Sequence, residues 1–373
     1  TTTPLTGSRL LVGRLCCLEY INGGAYKMPR YKSSVLREYA KEILVALGAP
    51  YAKADLVGRL LVEANQVGHD SHGLIRIPQY GATIESGEIN PVAEITKELE
   101  TDASVVVDAN WGFGQCAMQK TVEIGLDKAA SCGVSAVTLR NANHIGRLGS
   151  YVQCVAEKNM IGLLFANMHG SGVCVVPWGG TSARLGTNPL AAGLPRGDRG
   201  TIVLDMTTSV VAEGKIRVRR NRGESVPEGW IVDSEGKSST DPEAFYGSPR
   251  GGILPFGGVA GHKGYGLSII VELLAGALGG AGCAGSGSRN GNGVFLLVID
   301  ISRFIPFEEY CQEVDGLVKF VKSSSLAPGF DEILVPGELE EKHRKLNMGG
   351  IEIDEKTWEQ IVDFGKKYSI DPP

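Results

Sequence analysis

The stretch "LSIIVELLAGALGGAGCAGSGSRNGNGVFLLVIDIS", Leu267 to Ser302, decides what kind of fold this chain adopts. Its first half is apolar enough to raise the question of a membrane span, yet Glu272 and five glycines interrupt the run. A spanning helix needs about 20 predominantly apolar residues. A buried helix over Gly264–Ala281 is therefore expected, with Glu272 requiring a buried partner or a wet edge. Farther along, Gly285, Gly287 and Gly291 approach the glycine spacing of a dinucleotide-binding loop. Such a loop follows a strand and opens a helix, so that helix amides meet the pyrophosphate. Here a helix comes first and "VFLLVIDIS" follows as a strand. The order is inverted, and the segment is expected to be a flexible connection rather than a dinucleotide-binding loop.

Working outward, Leu36, Tyr39, Ala40, Ile43 and Leu44, then Ala54, Val57, Leu61 and Ala64, recur at three- and four-residue spacing on either side of "GAP". That pattern predicts two amphipathic helices between Ser33 and Gln66. Residues 94–110 have the β-branched run and Asp-Ala turn of a hairpin. A helix over "GQCAMQKTVEIGLDKAASCG" and a strand "VSAVTLR" ending at Asn141 come next. Strands "IGLLFAN", "LAAGLP" and "TIVLDM" precede a helix in "SVVAEGKIRVRRN". Residues 222–250 are polar and expected on the surface. Beyond Phe307 the chain is expected to be helical except for a strand and turn in "EILVPGE".

A chain of 373 residues is long for one compact core, so more than one domain is expected. We expect an N-terminal helical part over residues 1–100 packing with 300–373. A cofactor-binding sheet domain would span 101–255, joined by a glycine-flanked helix and strand over 256–299. With 37 Lys and Arg against 42 Asp and Glu, the net charge of −5 argues against a nucleic acid or an anionic membrane as partner. A small molecule is the expected partner. The eight cysteines form no C-x-x-C pair, which points to reduced thiols rather than a zinc or disulfide framework, with adjacent Cys16 and Cys17 as ordinary residues. No h-region with a cleavage site stands out near the N-terminus, and a cytoplasmic location is expected.

Four motifs carry candidate chemistry. In "HDSHGLIRIPQY", residues 69–80, His72, Arg76 and Tyr80 are four apart and would form one stripe of a helix, drifting about 40° per step. Ser71 would cap that helix, placing His72 at its amino end, where anions are favoured. Arg76 is suited to hold a carboxylate with a two-pronged hydrogen bond, and His72 to exchange a proton beside it. A solvated polar face, or a metal site on His69 and His72, would use the same residues. In "NANHIGRLGSY", His144 follows a strand with Gly146 and Gly149 close by, and is a proton carrier or a plain loop histidine. In "TIVLDMTTS", Asp205 near a strand's end would orient an imidazole, bind a ribose hydroxyl, or serve a turn; Thr207, Thr208 or Ser209 would cap the next helix. In "GHKGYG", Lys263 just before the long helix suggests an anion bridging the two, or a lysine extended into water. The basic run Lys215, Arg217, Arg219, Arg220 and Arg222 is expected to be a solvated face, with a cofactor phosphate as the alternative.

Taken in order with "VPWGGTSARLGTNPLAAGLP", "LPFGG" and "LVPGE", these motifs resemble those of the malate/L-lactate dehydrogenase family over about Ser33 to Tyr368. That family is distinct from the ordinary lactate and malate dehydrogenases. It includes ureidoglycolate, sulfolactate and diketogulonate dehydrogenases and some cyclic imine reductases. The resemblance implies an α/β fold of non-Rossmann type, with a central mixed sheet and a helical part built from both chain ends. It implies reversible hydride transfer between NAD or NADP and a 2-hydroxy acid such as malate or lactate, in a homodimer, with cyclic imine reduction as the alternative. By position, His144 would be the proton acceptor for hydroxy-acid oxidation and the donor in reverse, His72 and Asp205 would serve proton transfer in imine-reducing members, and Ser71, His72, Arg76 and Tyr80 would line the substrate pocket. Asn167, His169, Gly170, Ser171, Asp205, Met206, Thr207, Thr208, Lys263, Gly337 and Glu338 would contact the cofactor. No metal is implied.

Overall fold

The computed structural model describes residues 30–170, 172–287 and 289–373. Cys16, Cys17 and Ser171 lie outside the described residues. Ten helices are named here: α1 (Ser33–Ala46), α2 (Tyr51–Gln66), α3 (Ile77–Glu85), α4 (Gly114–Cys132), α5 (Leu148–Ala156), α6 (Glu213–Asn221), α7 (Gly261–Val271), α8 (Phe307–Lys322), α9 (Glu338–Leu346) and α10 (Glu355–Lys366). The central sheet is built from β1 (Thr96–Glu100), β2 (Ser104–Asp108), β3 (Val134–Ala142), β4 (Met160–His169), β5 (Leu190–Pro195), β6 (Thr201–Met206) and β7 (Gly291–Asp300).

These seven strands lie in the order β1-β2-β3-β7-β4-β5-β6, and only the β2–β3 pair is parallel. A parallel pair needs a crossover, and α4 supplies it. The expected mixed sheet is therefore present, and a doubly wound Rossmann sheet is not. Strand β7 runs between β3 and β4 because Val294, Leu296 and Val298, alternating along it, are all fully buried on one face. Gly125 lets α4 approach that face: a Cβ there would lie 3.1 Å from Val298 Cγ2. On the opposite face lies the segment Glu272–Ala277, where Gly276 is so close to β4 that a Cβ would meet Asn167 Nδ2 at 2.6 Å.

A second core joins the two ends of the described chain. Leu36, Ile43, Leu61 and Ile77 from α1, α2 and α3 pack with Ile361 and Phe364 from α10. Arg30–Tyr31 pairs antiparallel with Ile351–Glu352 beside them. A third, smaller core, including Ile216, Ile231, Phe245 and Ile253, holds α6 against a three-stranded sheet of very short strands.

Several local expectations change. The glycine-rich helix begins at Gly261 rather than Gly264, and after Val271 it widens into a π-helical turn over Glu272–Ala277. It stops before Ala281, since Gly280 and Gly282 adopt φ of 68° and 100°, which no helix continues. "EILVPGE" forms no strand. It lies along the outer edge of β6, where Val203 N–H donates to Pro336 O at 3.1 Å, and Pro336 has no N–H to extend a ladder. The helix after Asp205 begins at Glu213, too far on for Thr207, Thr208 or Ser209 to cap it. No helix among the described residues is long and apolar enough to cross a membrane.

Candidate active site

The region around Ser71 is not one helix. Asp70–His72 and Leu74–Arg76 are separate 3-10 turns, Gly73 between them is extended, and α3 begins only at Ile77. Asn65 of α2 clamps the two turns: its Nδ2 donates to Asp70 Oδ1 at 2.6 Å and its Oδ1 accepts from Leu74 N at 2.8 Å. A Cβ on Gly73 would lie 2.2 Å from that Oδ1, so only glycine admits the clamp. Ser71 is thus no helix cap. Instead its carbonyl accepts from Arg76 Nε at 2.7 Å. The four-residue stripe is broken, and His72 and Tyr80 converge by another route.

They converge on His144. Beyond β3 the loop is pinned by Asn143 Nδ2, which donates to Trp111 O at 2.8 Å and Glu88 O at 3.1 Å. The amino end of α4 presses on the same loop: a Cβ on Gly114 would sit 2.2 Å from Asn143 O. His144 Nδ1 then lies 2.6 Å from the Tyr80 hydroxyl, and His144 Nε2 lies 3.2 Å from His72 Nδ1. The two imidazole planes are within 2° of parallel. Behind Tyr80, Gln115 Nε2 donates to its hydroxyl at 2.6 Å. Gln115 is 1% exposed and Tyr80 2%, whereas both imidazoles keep some open surface.

Burial is the main influence on these groups. It pulls His72 down to about 3, helped by the Arg76, His69 and Arg147 charges. His144 is likewise held well below the ordinary imidazole range, by burial first and then by Arg76 and His72. Both rings are neutral at physiological pH. Burial also pushes the Tyr80 phenol up to about 12, so it keeps its proton. Arg76 is lowered by burial, yet a guanidinium stays charged. Its Nη1 donates to Gln79 Oε1 at 2.7 Å, and no carboxylate pairs with it among the described residues.

Asp205 does not orient either ring. Its Oδ2 accepts from Gly149 N at 2.7 Å, near the amino end of α5, and lies 3.8 Å from Arg147 Nε. Arg147, 4% exposed, also stands 3.8 Å from Glu63. His69 turns away from His72, to Glu340 Oε1 at 3.2 Å, and Asp70 serves the Asn65 clamp. No group of three or more His, Cys, Asp or Glu is arranged to hold a metal among the described residues.

The residues expected at the cofactor divide sharply. Asn167 is fully buried and spent inside the protein: Nδ2 donates to Glu272 Oε2 at 2.8 Å and to Gly282 O at 2.9 Å, while Oδ1 accepts from Gly293 N at 3.1 Å. Thr207 and Thr208 hydroxyls donate to Ser209 O and Thr187 O, and Met206 ends β6 opposite Leu190. Gly170, at φ 86°, has its carbonyl 3.3 Å from Gly285 N. Glu338 pairs with Lys322 at 2.6 Å, and Gly337, whose φ is 95°, caps α9 beside Val203. Two groups remain available. His169 is buried with Nε2 unpartnered. Lys263 lies within the first turn of α7, not before it, is exposed, and has no acidic partner among the described residues. A recess of about 410 Å³ near that turn is walled by Pro177, Trp178, Val232, Leu254 and Pro255, and His262 meets Trp178 edge-on.

Gln115 and Arg147 were missed by sequence reasoning. Gln115 stands in an ordinary amphipathic helix, and nothing local marks it. A basic residue three positions after His144 was visible, but its burial was not.

A neutral imidazole pair held by tyrosine, beside a cation with no carboxylate of its own, is the equipment of an enzyme that moves a proton on an oxygen next to an acid group. The chain belongs to the malate/L-lactate dehydrogenase family, whose model matches residues 31–362. An L-sulfolactate dehydrogenase of Methanothermobacter thermautotrophicus is 37% identical over 338 residues, covering 88% of this chain and 94% of that protein. The solved malate dehydrogenase of Pyrococcus horikoshii superposes with a TM-score of 0.85 at 31% identity, covering 94% of this chain and 99% of that one. A Δ1-piperideine-2-carboxylate reductase from Pseudomonas syringae pv. tomato gives 0.78 at 30% identity, covering 90% and 99%.

Proposed function

We propose that the protein is an NAD(P)-dependent dehydrogenase that interconverts a 2-hydroxy acid and its 2-oxo acid, with malate or lactate as the default substrate. The observation that carries this is the His72–His144–Tyr80 chain beside the unpaired Arg76. In it, Arg76 holds the substrate carboxylate, while the carbonyl of Ser71 fixes the angle of the guanidinium. His72 exchanges the proton with the substrate oxygen, and His144 and Tyr80 hold His72 in orientation and tautomer. Asp205 acts at a distance, by fixing Gly149 and facing Arg147.

A nicotinamide, when bound, supplies or takes up the hydride. The donor set fits such a group: among the described residues His169 has an orphaned ring nitrogen and Lys263 is a cation with no acidic partner, placed where helix amides favour a phosphate. Asn167, Gly170, Ser171, Asp205, Met206, Thr207, Thr208, Gly337 and Glu338 would shape the surrounding wall. The working unit is a cytoplasmic homodimer; exposed Ile270, Leu273 and Leu278 along α7 and its π turn make an apolar face suited to a second copy. The helical part from both ends and the sheet form its two domains.

Following NADH and NADPH absorbance with oxaloacetate, pyruvate and other 2-oxo acids tests this reading. Turnover of none of them would overturn it, and preferential turnover of Δ1-piperideine-2-carboxylate would replace it with a cyclic imine reductase, as the resemblance to such an enzyme allows.

A further inference from the structure

We infer that Gln115 is a positioning residue that sets the direction in which the histidine chain is protonated, so that His72 meets substrate as a proton donor through Nε2. This rests on the proton role proposed above for His72. Three short contacts link Gln115 Nε2, the Tyr80 hydroxyl, His144 Nδ1 and, through His144 Nε2, His72 Nδ1. Each contact takes one donor and one acceptor, so the orientation of the first constrains all the others.

Tyr80 has a single hydroxyl proton and two polar neighbours, Gln115 and His144. With the amide nitrogen of Gln115 donating to the phenolic oxygen, the phenol's own proton goes to His144 Nδ1. A neutral His144 then carries its proton on Nε2 and donates it to His72 Nδ1. A neutral His72 in turn carries its proton on Nε2, which has no partner among the described residues and is the open end of the chain. The opposite amide orientation would invert every link and leave His72 Nε2 a bare acceptor.

The first orientation is the better one on hydrogen-bond grounds. It leaves Gln115 Oε1 and one amide N–H without a partner among the described residues. The flipped amide would bury both N–H bonds unpaired, and orphaned N–H groups are rarer in proteins than under-satisfied carbonyls. Gly114 keeps the amide in register, since α4 begins against the backbone of Asn143 and His144 with no room for a side chain.

Nitrogen-15 NMR of the histidine rings tests this directly, with signals assigned by removing the six histidines one at a time. In the intact protein His144 and His72 are expected to carry their protons on Nε2. In Gln115→Met both rings should show mixed tautomers, and kcat should fall about tenfold with KM changed less than about twofold. That fall should appear equally in both directions, because the overall equilibrium is fixed. Gln115→Glu, whose carboxylate only accepts, should move the His144 proton to Nδ1. A wild-type His144 protonated on Nδ1, or unchanged tautomers in both variants, would overturn the inference. Expected tautomers in a protein that turns over no 2-oxo acid would sink the proposed function and leave the wiring standing.

Discussion

Two of the buried polar clusters among the described residues are built to opposite ends. Around Glu272 every acceptor is met: Asn167 and Asn188 each donate to it at 2.8 Å, and Ala284 N does so at 3.0 Å. Around His144 the chain stops short, with an unpaired amide oxygen at Gln115 and a free ring nitrogen on His72. The first cluster stitches the π turn to β4 and to the Asn188 loop. The second holds its groups neutral and leaves one end open. A closed polar network is a fastening, and a network with a free terminus is a place for a ligand.

The comparison is broken most severely at His144. His144→Gln is expected to lower kcat by about a hundredfold or more, because His72 loses the partner that fixes its tautomer and with it the acid–base contribution, while cofactor affinity stays nearly constant. Steady-state kinetics beside a cofactor titration would show it; equal losses in both would place His144 elsewhere. Glu272→Leu should leave three neutral donors, on Asn167, Asn188 and Ala284, buried without an acceptor, at a cost of about 1–3 kcal/mol for each. Urea denaturation measures that, and a loss under about 1 kcal/mol would show that the cluster is not a fastening.

Arg76→Lys keeps the charge but loses the planar fork and its tie to Ser71 O. Substrate KM should rise about tenfold or more, with a smaller change in kcat. An unchanged KM would remove Arg76 from the carboxylate. A further effect is in pH. His72 and His144 are held below the ordinary imidazole range, so in the acid window the unfolded chain binds more protons than the folded one. Their contribution is complete above about pH 6.5 and is lost as pH falls toward the folded value, which for His72 is about 3. Each ring should add a slope of up to about 1.4 kcal/mol per pH unit. Replacing His72 with Asn should flatten the acid limb of a Tm-against-pH curve, and a limb of unchanged slope would refute this.

What the sequence shows of the fold is what local periodicity can encode. The helix pair between Ser33 and Gln66, the hairpin before Asp108 and the strand after Gly291 all appear near their expected limits. "EILVPGE" has the apolar β-branched look of a strand and is not one, because pairing depends on a neighbour's free edge, and Pro336 cannot answer it. In the site, His72, Tyr80 and His144 were legible as candidates, and the structure brings them together. Their manner of meeting was not. It depends on Gly73 breaking the helix that four-residue spacing implies, and on Asn65, distant in the motif, clamping the break. For Asp205 a place near a strand end leaves an imidazole, a ribose hydroxyl or a turn equally open; Arg147 and the α5 backbone claim it, and no local pattern reveals which cation a carboxylate will meet.

The absent side chain of Gly114 has a bearing on how this scaffold can be adapted. At Gly114 the obstacle is main chain, Asn143 O only 2.2 Å from where a methyl would be, so no trimming elsewhere makes room. Gly214 faces Ser71, and there the obstacle is a side-chain carbon 2.9 Å away. The first position is fixed by backbone; the second is negotiable. An engineer seeking a new substrate side chain should leave positions 114 and 143 alone and vary 71 and 214 as a pair.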